Sequence, residues 1–174
     1  VAGPGAKTFA AMRKADWIMK EKPGTRHSDI TNMPYPAFGW LVTGEKACLT
    51  QSKAYLDAMA ANPPADQYET PEALRACAMV YDWIYSDLSA EERKRYAALL
   101  ATMAEYCAKL WRHADFCNHF VNESLAVLWA GVALANDGID DAAAAKFLKL
   151  GREYLTSAVA GAEAEVIVVR GRRR

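Results

Sequence analysis

Two kinds of helical segment alternate along this chain, and that alternation limits the folds open to it. The run from Asn118 to about Ala135 is almost wholly apolar after Glu123, with Leu125, Val127, Leu128, Trp129, Val132 and Leu134 spread around the helix. A helix apolar around its whole circumference is expected to be buried on every side. The segments on either side of it, from Ser89 to about Trp111 and from Asp140 to about Val159, are amphipathic. The earlier segment through Leu74, Cys77, Val80, Tyr81, Trp83 and Ile84 is again mostly apolar. A four-helix bundle needs every helix to be amphipathic, so two concentric layers of antiparallel helix pairs fit the pattern better. The inner segments open near Pro34, Pro71 and Asn118, a repeat of roughly 40 residues that also matches helix-pair solenoids. Periodicity leaves the closed ring and the open solenoid as alternatives.

Breakers and caps place the segments. A first helix is expected from Lys7 to Glu21, stopped by Pro23-Gly24, and a polar loop follows from Thr25 to Met33. A short helix opens near Pro34, and another runs from about Glu45 to Ala61 before Asn62-Pro63-Pro64. Thr70 is the expected N-cap of the next, with Pro71 at its first position. Ser89-Ala90-Glu91-Glu92 reads as a capping box. Asn136-Asp137-Gly138 ends the apolar helix, and from Gly161 onward the text fits neither the preceding helix nor another helix pair.

Composition excludes several classes. The 174 residues are 52% hydrophobic and 24% charged, which argues for a packed core. Basic and acidic residues both number 21; without Arg170, Arg172, Arg173 and Arg174 the body holds 17 basic against 21 acidic. Such a body has no cationic field for nucleic acid or an anionic membrane. No apolar run approaches the roughly 20 residues that span a bilayer. A chain that opens on Val1 without an address is expected to be a piece of a longer protein. Cys48, Cys77, Cys107 and Cys117 lie far apart with no CxxC, so buried thiols are expected rather than a metal or redox site. No metal or cofactor is expected; the three histidines are scattered and no HExxH occurs.

Chemistry-bearing residues gather where the most apolar helix begins. The stretch from Trp111 to Glu123 contains Arg112, His113, Asp115, Asn118, His119, Asn122 and Glu123. Polar groups entering a buried helix cost several kcal/mol unless they are paired or face a cleft. Asn118, His119 and Asn122 share one face of the first turn by their spacing of three and four. The free N–H groups and positive dipole end there suit a bound carboxylate. The competing structural reading makes Asp115 or Asn118 an N-cap and His119 a partner of a neighbouring helix.

The stretch from Val80 to Arg93, reading VYDWIYSDLSAEER, resembles the heparinase II/III-like polysaccharide lyases. The run NHFVNESLA from Asn118 to Ala126 and the Gly151-Arg152-Glu153-Tyr154-Leu155 text are similar to the same family. The resemblance spans residues 34–158 and implies an all-α fold in which antiparallel helix pairs form part of an (α/α) toroid, here incomplete. Residues 1–33 would then be an N-terminal helix and loop, 34–160 the partial toroid, and 161–174 an atypical tail.

The resemblance also implies a reaction, β-elimination on a uronic-acid-containing polysaccharide, in a periplasmic or secreted parent protein. One group neutralises the uronate carboxylate, a base removes the C5 proton, and an acid protonates the departing 4-O oxygen. Asn118 matches the neutralising residue and His119 the base or charge stabiliser. Tyr81 and Trp83 are expected as a sugar-stacking wall, with Arg112, His113 and Asn122 as further contacts to an acidic substrate. The family's catalytic tyrosine lies on a later helix, in a Gly-rich text not found here, and its C-terminal β domain is not found either. This stretch alone is therefore expected to have little or no lyase activity. Two other readings stand beside it: a helical-repeat scaffold without catalysis, and a toroid glycoside hydrolase using Asp82 and Asp115.

Overall fold

The structure, a computed structural model, describes residues 16–110 and 118–171. Among the described residues every regular element is helical and none is a strand. The order is α1 (Asp16–Lys20), α2 (His27–Asn32), α3 (Pro34–Thr43), α4 (Lys46–Ala61), α5 (Glu69–Ile84), a 3-10 turn (Tyr85–Asp87), α6 (Ala90–Leu110), α7 (Asn118–Leu134) and α8 (Asp141–Gly171). The all-α expectation holds.

Local chemistry explains most boundaries. The capping box at Ser89 forms as the spacing requires: Glu92 N–H donates to Ser89 Oγ at 3.2 Å and Ser89 N–H to Glu92 Oε2 at 2.7 Å. At α5 the cap differs from expectation. Asp66 Oδ1 accepts from the N–H groups of Tyr68 and Glu69, both at 2.8 Å, so the helix starts before Thr70. Thr70 is buried, and its hydroxyl donates to the Pro64 carbonyl instead. Pro71 is then the third helical residue, still among the four whose N–H has no intrahelical acceptor. The stretch expected as a polar loop contains α2, closed by Asp29, whose carboxylate accepts from Arg26 N–H at 2.9 Å. The first helix is described only from Asp16, and the expected part before it lies outside the described residues. α8 runs on through residues 161–171, where Ala162, Glu163, Ala164 and Glu165 are good helix formers.

Cross-contacts fix the layers. Met33 Sδ meets Cys77 Sγ at 3.7 Å, the Phe38 ring lies 6.1 Å from Trp83, and Trp40 Nε1–H donates to Asp87 Oδ2 at 2.9 Å. Both partners advance together, so α3 and α5 are parallel. By the same reasoning α5 and α7 are parallel, since Tyr68 meets His119 near their starts and Trp83 shares a hollow with Trp129 near their ends. The intervening helices form the second layer. Lys53 pairs with Glu92 at 2.9 Å, Tyr96 donates to Asp57 at 2.7 Å, and Tyr106 donates to the Ala65 carbonyl at 3.0 Å, which makes α4 and α6 parallel. Lys146 of α8 pairs with Glu105 of α6. α2 leads into α3 through Met33 alone, which keeps helical dihedrals, and from α3 onward the helices alternate between the two layers.

The core lies between the layers, around Tyr55, Leu56, Leu74, Tyr81, Tyr96, Leu100 and Phe147. Cys48, Cys77 and Cys107 are buried, as expected, and Cys77 and Cys107 are in no disulfide; Cys117 is outside the described residues. α7 corrects one expectation. Its apolar circumference is not sealed, because Val121 is 37%, Trp129 40% and Val132 60% exposed. Those side chains line the seam toward α5, where no third helix covers them among the described residues.

Candidate functional site

Parallel packing brings the N-terminal ends of α5 and α7 together; α2 begins beside them, where His27 meets Glu72, whereas α3 begins farther along, at Cys77. That end gathers the positive dipole ends of α5 and α7. His119, in the first turn of α7, is exposed there, and its imidazole meets the Tyr68 ring edge-on, centroids 5.1 Å apart at 76°. A hollow of about 380 Å³ opens beside them, lined by Tyr68, Glu72, His119, Val121, Asn122 and Leu125. It lies at the small end of the volumes that hold small ligands. The His119 imidazole lines this hollow, and the Asn118 side chain lies outside the described residues.

Charge in the hollow is mixed. Glu72 contributes a carboxylate, held by His27 Nδ1 at 3.2 Å. The Glu72 carboxylate places an acceptor in the same lining as His119. Behind this face, Glu123 follows His119 by one turn and is only 4% exposed. Among the described residues its Oε2 has no hydrogen-bond partner. Burial pushes its carboxyl above the ordinary range, an effect that His119 partly opposes. Glu123 lies near Cys107 of α6, whose thiol is pushed up to about 12 by burial and by this carboxyl.

The remaining candidates separate. Asn122 lines the hollow with His119. Asn118 opens α7, and Arg112 and His113 lie outside the described residues, as does Asp115. Tyr81 is not part of a stacking wall. It is fully buried, and its hydroxyl donates to Asp137 Oδ2 at 2.7 Å. Its phenol is held neutral, pushed up by burial and by that carboxylate. Tyr81 fastens the α7–α8 turn, where Tyr85 also donates to the Asp137 carbonyl at 2.9 Å. Trp83 does face open space, but at the far end of the seam. It lines a second hollow, of about 260 Å³, with Met79, Asp82, Trp129 and Val132. At 1.5 Å per residue, roughly 15 Å of helix separates His119 from Trp129.

Tyr68 and Glu72 were not among the residues singled out from sequence. The signal was present in the repeat: parallel inner helices bring their starts together, so whatever precedes Thr70 stands opposite whatever follows Asn118. Among the described residues no cluster of His, Cys, Asp and Glu could hold a metal ion, and no helix is long and apolar enough to cross a membrane. No protein-family model, curated protein or solved structure matches the chain.

Proposed function

We propose that this chain is the helical, substrate-binding part of a lyase that cleaves uronic-acid-containing polysaccharides by β-elimination. The observation that carries the reading is the exposed His119 imidazole at the rim of a hollow, with Tyr68 against it and Asn122 beside it. The elimination needs one group to accept the C5 proton and another to protonate the leaving oxygen. As electrons from the C5–H bond form the C4=C5 double bond, the C4–O4 bond breaks and O4 takes a proton. An imidazole accepting the first proton and a phenol standing next to it supply groups of the right kinds. The uronate carboxylate would lie toward the helix N-terminus, where N–H groups and the Asn122 amide stabilise the charge that develops on it.

The resemblance assigns a further proton-handling tyrosine to a later helix, so this stretch by itself is proposed to bind more than it turns over. The glycosidase reading gains no support, because Asp82 faces the second hollow with no other carboxylate lining it. The scaffold reading draws on the exposed apolar side chains of α7.

Titration with oligouronates from alginate and from heparan, followed through the His119 ring resonances, tests the proposal. Saturable binding that His119→Ala abolishes and Asn122→Ala weakens is the expected result. Absence of saturable binding to every uronate tested, or binding indifferent to both substitutions, would overturn it. Rapid formation of unsaturated product by this chain alone would overturn the division of labour.

A further inference from the structure

We propose that the hollow between Trp83 and Trp129 is a second sugar subsite that takes an uncharged pyranose residue of the same polymer. The inference rests on the polysaccharide reading and adds to it a charge pattern for the substrate. Three observations carry it.

The first is alignment. Both hollows lie along one seam, because each is lined by α5 and α7 together: Glu72 and Tyr68 with His119 at one end, Asp82 and Trp83 with Trp129 at the other. From Glu72 to Asp82 and from His119 to Trp129 the advance is ten residues in each case, roughly 15 Å of parallel helix. A polymer held by His119 can lie along that seam and reach the second hollow a few residues away.

The second is the lining. Trp129 is 40% exposed and Trp83 half-buried, and Phe38 tilts against Trp83 from α3. An indole with one face free offers a broad apolar plate to the C–H face of a sugar ring, while an adjacent carboxylate accepts from its hydroxyls. Asp82, exposed on the same face, is that acceptor. At about 260 Å³ the hollow falls below the ~300–1,000 Å³ of pockets for drug-sized ligands, which suits a single ring.

The third is the sign of the field. The parallel layer puts the C-terminal, negative ends of α3, α5 and α7 here, opposite to the His119 end. Asp82 adds a carboxylate to the lining, and Asp87 and Asp137 follow the ends of α5 and α7. The nearby cations are engaged elsewhere: Arg93 lies 4.2 Å over the Tyr85 ring and donates to the Tyr85 carbonyl, and Lys53 bonds the Asp87 carbonyl and Glu92. A uronate or sulfate is repelled from such a place, whereas a neutral ring is not.

Tryptophan fluorescence of the full chain, titrated with cellohexaose and mannohexaose as uncharged probes and with a short oligouronate, decides the matter. Saturable quenching is expected from an uncharged probe, with affinity reduced about tenfold in Trp129→Ala and unchanged in His119→Ala. Asp82→Asn should admit the oligouronate to a Trp129-dependent site that excludes it in the parent. Failure of both uncharged probes to bind through Trp129, or continued exclusion of uronate in Asp82→Asn, would overturn the subsite. Sedimentation that shows Trp129 buried in a self-associated dimer would overturn it as well. If the uncharged probes fail while His119-dependent uronate binding persists, only the subsite falls; if both fail, the polysaccharide reading falls with it.

Discussion

Helix α7 meets its two neighbours in opposite ways. Toward α8 the contact is closed to the limit of backbone approach. A methyl group at Gly131 would lie 2.6 Å from the Leu148 amide nitrogen, and one at Gly151 would lie 2.7 Å from Leu128 Cβ. Toward α5 the same helix leaves a seam with two hollows and with Val121, Trp129 and Val132 in the open. One face of α7 is therefore committed to holding the fold together and the other is free to meet a ligand. Substitutions on the two faces should separate accordingly.

The largest effect is expected at the closed contact. Gly131→Val places branched carbons against α8 backbone, which cannot rotate aside as a side chain could. The helices must part and lose contacts along their length, at a cost of about 3 kcal/mol. Denaturant unfolding followed by circular dichroism measures it. A loss under about 1 kcal/mol would show that the two helices slide freely, and the contrast between the faces would be gone.

The next effect belongs to the turn that joins them. Tyr81→Phe removes the hydroxyl that donates to Asp137 and leaves a half-buried carboxylate short of one partner. The Ile139 N–H still holds the other oxygen of Asp137 at 2.9 Å. A loss of about 1–2 kcal/mol follows, from the missing bond and the exposed need of its acceptor. The same substitution should leave oligouronate affinity untouched, since Tyr81 faces no hollow. A drop in affinity without a drop in stability would restore Tyr81 to the substrate wall.

These two residues also show how far the sequence could be read. The alternation of apolar and amphipathic segments carried the two layers, because burial on both sides of an inner helix leaves no polar face to see. The capping box at Ser89 was legible because both its bonds are local. His119 was legible for a similar reason: a polar run at the head of an apolar helix must either find partners or face a cleft. Tyr81 was misjudged because its partner, Asp137, is 56 residues away, and composition alone cannot tell a buried tyrosine with an acceptor from an exposed one. Tyr68 was missed because it belongs to no pattern of its own helix; only the parallel stacking of α5 and α7 brings it to His119. The full burial expected for α7 failed in the same way, since an apolar face states that something can cover it and not that a described helix does.

A smaller effect, of opposite sign, is expected behind the candidate site. Glu123 has a folded-state pKa above its ordinary value because burial penalises the carboxylate. The folded chain thus holds a proton that the unfolded chain has already released, near pH 4.3 for a free glutamate. The stabilising contribution is complete below that pH and is lost as pH rises through the raised folded value. At pH 7 the wild-type chain bears the cost of an unpartnered buried charge or of keeping it protonated. Glu123→Gln should remove that cost and stabilise the fold at pH 7 by about 1 kcal/mol. The gain should shrink as pH falls toward 4. A gain independent of pH would assign it to packing, and a loss would mean that the carboxylate is paired in solution.

The smallest effect should come from the open face, and its smallness is the informative part. His119 is exposed, and among the described residues its ring meets Tyr68 edge-on. Removing the imidazole uncovers no core among the described residues and takes away only an exposed group that partly offsets the burial of Glu123, so His119→Ala should change stability by no more than about 0.5 kcal/mol. Trp129→Ala on the same face should cost more, about 1 kcal/mol, because an indole 40% exposed still buries most of its surface. Function and stability are then borne by different faces of one helix, and affinity for sugars can be abolished without melting the chain. If His119→Ala instead cost as much as Tyr81→Phe, the seam would be part of the fold's support, and the case for a ligand there would rest on the hollows alone.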